Sequence, residues 1–240
     1  MFPIQDTIPS RSFPLVTWSL IAINALVFLI ELNLNESQLQ SFFYLFGLVP
    51  ARYTHPEWAQ VAGLYTDNLW PFLTNIFLHG GWGHFLGNMW TLYIFGDNVE
   101  ERMGSRSFLL FYLICGVVAS FAHFYFNADS TLPALGASGA ISGVMGAYMF
   151  MFPHSRIVFF IPLLFIPYFI ELSAFIYLAV WFIGQLYAGT FTTMLGAGAG
   201  GIAFWAHIGG FVAGALLYKF FTKAERSKFY DDQYFRRYTN

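Results

Sequence analysis

The sequence predicts an all-α membrane protein, a polytopic bundle of six transmembrane helices. Both termini are expected inside, with a membrane-interfacial outer loop between helices one and two. Three observations carry this expectation. Hydrophobic residues make up 57% of the 240-residue chain and charged residues only 10%, against about 25% in a typical soluble domain. Phe occurs 30 times, and mean hydropathy is +0.56. Apolar stretches near bilayer length also recur along the chain, separated by polar or Gly/Pro-containing segments.

Residues 13–32 form the first expected span, with a single charge, Glu31, at its end. No small-residue cleavage site follows a short apolar core, so the segment reads as a retained helix rather than a signal peptide. Residues 82–103 form the second span, apolar as far as Phe95 and charged beyond it, and residues 108–126 form the third. Residues 138–152 give a short fourth span that needs shielding by its neighbours. Residues 173–186 form the fifth span and residues 204–221 the sixth. The lead-in at 157–170 is apolar but broken by Pro162 and Pro167, so it is expected to lie at the interface. The domain plan is an N-terminal cytoplasmic segment (1–12), a six-helix core (13–221) and a polar cytoplasmic tail (222–240).

With the N-terminus inside, ten of the eleven basic residues fall on the inner side and only Arg52 falls outside, which fits the positive-inside bias. The long outer connection, residues 33–71, carries Trp58, Trp70 and several tyrosines, side chains that favour the headgroup region. The net charge of −2 and the lack of a basic run give no indication of a nucleic-acid partner. The single cysteine, Cys115, sits in an apolar run and reads as a packing residue.

Polar groups concentrate at one level. The second, fourth and sixth spans all run outside to inside. His84 lies near the start of the second, Ser138 at the start of the fourth and His207 in the first turn of the sixth. Polar side chains at membrane depth are costly and are functional candidates by default. Pro133 and Gly136 break the chain before Ser138, so Ser138 is expected to open its helix, where free N–H groups and a positive dipole face an anion. An N-cap role for Ser138 is the plain alternative. His84 and Asn88, four residues apart, share a helix face, either donating to an oxyanion or bonding neighbouring helices.

Gly139-xxx-Gly143 and Gly210-xxx-Gly214 match the close-packing pattern of membrane helices and lie on the spans that carry Ser138 and His207. Such an approach would bring a serine hydroxyl to an imidazole base. Asp129 and Glu171 are the acids near the later spans, and neither lies within one, so a Ser–His dyad is expected rather than a triad. Ser142, one turn after Ser138, is the rival nucleophile. No HExxH zinc motif, aspartate pair or phosphate loop is present, and the glycine-rich stretch 196–201 reads as a loop. No metal or cofactor is expected.

These residues resemble the rhomboid intramembrane serine proteases, over nearly the whole chain. The family's GxSG appears as Gly136-Ala137-Ser138-Gly139 and its AHxxG as Ala206-His207-Ile208-Gly209-Gly210. Its HxxxN pair appears as His84 and Asn88, and its ExR element as Glu100-Glu101-Arg102. The resemblance implies Ser138 as nucleophile, His207 as base, His84 and Asn88 on the oxyanion side, and a structural role for Glu100 and Arg102. It also implies transmembrane protein substrates cleaved near the outer boundary of a bacterial inner membrane, with lateral entry near the fifth helix. Two positions depart from the family pattern. The Trp-Arg pair common in the outer loop reads Trp70-Pro71, and Ser142 stands where some members carry an aromatic stacked on the base. His207 would then be held by Trp205 or by helix packing. The competing function is a non-catalytic relative that binds or escorts transmembrane helices. A channel is disfavoured because the polar groups cluster at one leaflet.

Overall fold

The computed structural model describes residues 2–163, 166–195 and 203–223; the predicted loop at 196–201 and nearly all of the predicted tail lie outside them. Six long helices correspond to the six expected spans. They are α1 (Leu15–Leu32), α6 (Trp82–Met103), α7 (Ser105–Phe126), α8 (Ser138–Met151), α9 (Ala174–Leu195) and α10 (Phe204–Phe221). Four of these, α1, α7, α9 and α10, are long and apolar enough to cross a bilayer by themselves. The helix α8 is only 14 residues long, and α6 ends in Glu100-Glu101-Arg102.

The centre of the bundle is α8. Its residues from Gly139 to Met149 are all buried, as expected of a helix apolar on every face. Glycines let α10 approach it backbone to backbone. A Cβ on Gly210 would collide with the carbonyl of Gly139, and one on Gly214 with the carbonyl of Gly143. The two GxxxG patterns thus face each other one turn apart. α7 joins the same contact: a Cβ on Gly139 would stand 2.6 Å from Ala119 Cβ of α7 and 3.6 Å from Ala206 Cβ of α10.

The segment between α1 and α6 is a string of short helices, α2 (Glu36–Phe46), α3 (Ala51–Thr54), α4 (Pro56–Val61) and α5 (Pro71–Thr74). Trp70 is exposed and does not anchor them. Arg52 does: it is 1% exposed, and its guanidinium donates to the carbonyls of Tyr44 and Leu45 near the end of α2. The sole basic residue assigned to the outer side is therefore a buried strut. Thr74 and Tyr53 tie the loop further through the carbonyls of Phe46 and Asn68.

The all-α expectation needs correction. The apolar lead-in forms an antiparallel hairpin, β2 (Arg156–Leu163) and β3 (Ile166–Ser173), and the N-terminal residues add an edge strand, β1 (Phe2–Asp6), in the order β1-β2-β3. The prolines that argued for a broken interfacial segment face each other, Pro162 opposite Pro167, near the hairpin's end. A continuous apolar run of branched and aromatic residues suits a buried strand as readily as an apolar helix, and here it pairs with itself as a hairpin and with β1. The sheet lies at the end of the bundle away from Ser138. There Asp6 accepts hydrogen bonds from Tyr148 Oη of α8 (2.5 Å) and Asn98 Nδ2 of α6 (2.8 Å).

Glu100 and Arg102 occupy this same end. Pro14 provides no side-chain cap for α1. Instead Glu100, 2% exposed, accepts from the amides of Val16 (2.9 Å) and Thr17 (2.8 Å), from Thr17 Oγ1 and from Ser105 Oγ. A carboxylate at a helix N-terminus satisfies orphan donors and the dipole together. Arg102 lies over the Phe152 ring at 5.5 Å, and its carbonyl accepts from Lys223 N.

Two predictions follow from this packing. Gly214→Ala should push α10 off α8 and lower the melting temperature in detergent by about 5–10 °C; an unchanged melting temperature would refute the contact. Burial, reinforced by Asp97, pushes the Asp6 carboxyl from its usual 3.8 up to about 7, with the Tyr148 bond opposing. The folded state therefore keeps a proton that the unfolded chain releases. Docking of β1 should be strongest below pH 4 and weaken as pH rises through 7. Amide exchange of the β1 residues should accelerate over that range, and Asp6→Asn should flatten the dependence.

Candidate active site

Ser138 is the first residue of α8. Ala137 takes the N-cap position without a side-chain hydrogen bond, so Ser138 is not its helix's N-cap. Its Oγ instead lies 2.8 Å from His207 Nε2. His207 sits in the first turn of α10, and the contact is possible because the glycines beside it let the two backbones meet.

The approach to Ser138 is built around Gly136. Its φ of +127° belongs to the region that disfavours side chains. A Cβ there would also stand 2.6 Å from His84 Nε2 and 3.6 Å from Asn88 Nδ2. His84 and Asn88, on the first two turns of α6, thus converge on the residue two before the serine. Asn88 is 7% exposed, and its Nδ2 has no hydrogen-bond partner among the described residues. A buried amide donor without a partner is costly to keep, and this one faces the mouth of the site. Gly136 N donates to the carbonyl of Asn75, whose side chain bonds Ser120 Oγ. A cavity of about 10 Å³ lies here, lined by Asn75, Ser120, His123, Gly136, Ser138 and Ala206. That is near the space one water molecule needs. In the loop before α6, burial pulls the His79 imidazole down to about 4, with His84 adding to the effect. His79 is therefore neutral at physiological pH.

Ser142, the rival, is 1% exposed and donates to the carbonyl of Ser138 at 2.6 Å. It is bound into its own helix and contributes nothing to the mouth. Asp129 pairs with His55 (2.9 Å) and Glu171 with Arg156 (3.6 Å); neither pairing involves His207. Among the described residues no group of three or more His, Cys, Asp or Glu is placed to hold a metal ion.

Of the two expected holds on the base, Trp205 and helix packing, the first is engaged elsewhere. Trp205 stacks on Phe126, and its Nε1 donates to Thr193 Oγ1. The group on His207 Nδ1 is Gln185 Oε1 of α9, at 2.7 Å. The Trp181 ring, one turn earlier on the same helix, lies 5.9 Å from the imidazole. Sequence reasoning searched the later spans for acids and passed over this neutral amide. The readable signal was a glutamine in an apolar span, four residues after a tryptophan and so on the same face.

A family model described as the Rhomboid domain matches residues 66–224. The chain is 33% identical over 147 residues to the rhomboid protease GluP of Bacillus subtilis, covering 61% of this chain and 26% of that one. It is 32% identical over 123 residues to the chloroplastic rhomboid-like protein 11 of Arabidopsis thaliana, covering 50% of this chain and 40% of the relative. It is 31% identical over 96 residues to the mitochondrial presenilin-associated rhomboid-like protein of Homo sapiens, covering 39% and 25%. The matches thus span well under two thirds of these relatives' lengths. The family model, in contrast, takes in well over half of this chain and encloses His84, Asn88, Ser138 and His207. With its apolar helices, the chain is a multi-pass integral membrane protein and belongs to the rhomboid family.

Proposed function

We propose that the chain is an intramembrane serine protease using Ser138 and His207 as a dyad. The observation that carries this reading is the 2.8 Å contact between Ser138 Oγ and His207 Nε2 at the N-terminus of a buried helix. In the proposed reaction the Ser138 hydroxyl proton passes to Nε2 as Oγ bonds to the scissile carbonyl carbon. The developing oxyanion takes hydrogen bonds from the free N–H at the start of α8, from Asn88 Nδ2 and from His84. The C–N bond then breaks, and the imidazolium gives its proton to the departing amine. A water molecule, deprotonated by the same nitrogen, cleaves the acyl ester and restores the serine.

All six long helices are taken as spans, because α8 and α6 are shielded by their neighbours, with both termini inside. On that topology the site faces the outer side, and the protein sits in a bacterial inner membrane. Gly139, Gly210 and Gly214 permit the close approach of α8 and α10, and Gly136 leaves room for His84 before Ser138. The substrates are transmembrane proteins whose helices unwind locally, since a helical backbone hides its carbonyls.

A serine-reactive fluorophosphonate tests the assignment. Wild type and Ser142→Ala should be labelled, and Ser138→Ala and His207→Ala should not. Labelling of Ser138→Ala at the wild-type level would overturn the reading. Gly136→Ala, strained at φ and crowding His84, should fold but lose about 100-fold in labelling rate; an unchanged rate would remove His84 and Asn88 from the site.

A further inference from the structure

We propose that Gln185 is the positioning residue of His207, and that α9 thereby supplies what a triad's acid and a stacked aromatic supply elsewhere. The inference rests on the dyad reading above. A neutral imidazole has one N–H donor and one acceptor nitrogen. With Gln185 Oε1 at 2.7 Å, Nδ1 carries the proton and donates, which leaves the Nε2 lone pair for the Ser138 hydroxyl at 2.8 Å. The opposite tautomer would turn an N–H toward Ser138 Oγ and could not accept its proton. The Trp181 ring, tilted 35° to the imidazole, closes one side of the ring, so rotation about the Cβ–Cγ bond is restrained as well.

The arrangement follows from how α9 presents itself. Ala174, Tyr177, Leu178, Trp181, Phe182 and Gln185 are among its buried or half-buried positions, in a stripe that continues to Ala188, Gly189 and Thr192, while Phe175, Ile176, Val180 and Ile183 are exposed. Gln185 and Thr192 are the polar members of this inner stripe, and Thr192 spends its hydroxyl on carbonyls of its own helix. Phe182 stacks on Phe211 of α10 with centroids 4.6 Å apart, and Trp181 also approaches Phe211. This clamp sits one turn from His207 and sets the reach of the amide. A neutral amide suits the depth. It accepts from Nδ1 in both the imidazole and imidazolium states, without the desolvation that an unpaired carboxylate would suffer. Serine and histidine come from α8 and α10, and their orienting group comes from a third helix. Base competence therefore depends on α9 being seated.

The test compares Gln185→Met with Gln185→Glu, in liposomes containing a membrane-spanning peptide substrate and in fluorophosphonate labelling. Methionine keeps length and packing but loses the acceptor; glutamate keeps an acceptor. Gln185→Met should lose about 10–100-fold in kcat, with KM within about twofold of wild type and a matching loss in labelling rate. Gln185→Glu should retain clearly more activity than Gln185→Met. A purely structural role predicts the reverse order, because methionine packs and a buried charge does not. Wild-type kcat in Gln185→Met, or equal losses in both variants, would overturn the proposal. Gln185→Leu, read in the same two assays, replaces Gln185→Met if that variant does not fold. Failure of the dyad reading looks different: Ser138→Ala would then react like wild type, whatever Gln185 does.

Discussion

The backbone contact between α8 and α10 is the constraint on which the rest of the structure depends. Two helices with ordinary side chains between them pack with axes about 8–10 Å apart; α8 and α10 come closer, and that closeness fixes where Ser138 and His207 meet. Gly139 and Gly143 against Gly210 and Gly214 remove the intervening side chains. Association in lipid gains little from apolar burial, so it relies on this kind of close van der Waals approach. The Ser138–His207 hydrogen bond is then a consequence of the packing rather than its cause, since one hydrogen bond contributes only about 1 kcal/mol net.

That contact needs a frame to keep it in register, and polar groups at the opposite end provide one. Asp6 gathers Tyr148 of α8 and Asn98 of α6, and Glu100 of α6 caps α1. The start of α6 meets the start of α8 around Gly136, and their far ends meet again through Asp6, so the two helices are held parallel at both ends. β1 takes part by pairing with β2, which ties the N-terminal residues to the hairpin leading into α9. The helix that carries Gln185 is thus entered from the same sheet that anchors α6 and α8.

Helices and site differed in how legible they were from sequence. The stretches 82–103 and 204–221 were predicted with the bounds the structure gives, because glycine and charge mark the ends of the first and apolar continuity marks the second. Helix parity put His84, Ser138 and His207 at one level, and the two GxxxG patterns supplied the expectation that serine and histidine meet. The end of α9 was not. It runs to Leu195 rather than 186; Thr190, Thr192 and Thr193 satisfy their hydroxyls on carbonyls three or four residues earlier, so a polar-looking stretch is accommodated in the helix. The sheet was illegible for another reason: 157–170 is apolar enough for either structure, and its pairing as a hairpin, with β1 added from residues more than 150 positions away, leaves no period-two polar pattern to read. Arg52 escaped because its carbonyl partners lie on another short helix; Gln185 left a local trace in its spacing from Trp181, but its partner His207 lies on another helix.

The most direct measurement is the cleavage rate of a reconstituted membrane-spanning peptide by Gly210→Ala, set against wild type and a Ser138→Ala blank at a temperature where all three remain helical. The added methyl reaches toward the Gly139 carbonyl and displaces α10 at the turn that carries His207. The account predicts a loss of about 100-fold or more in a protein that is still folded, as a displacement near 1 Å brings. Cleavage by Gly210→Ala at the wild-type rate would contradict the claim that this backbone contact makes the serine and histidine competent.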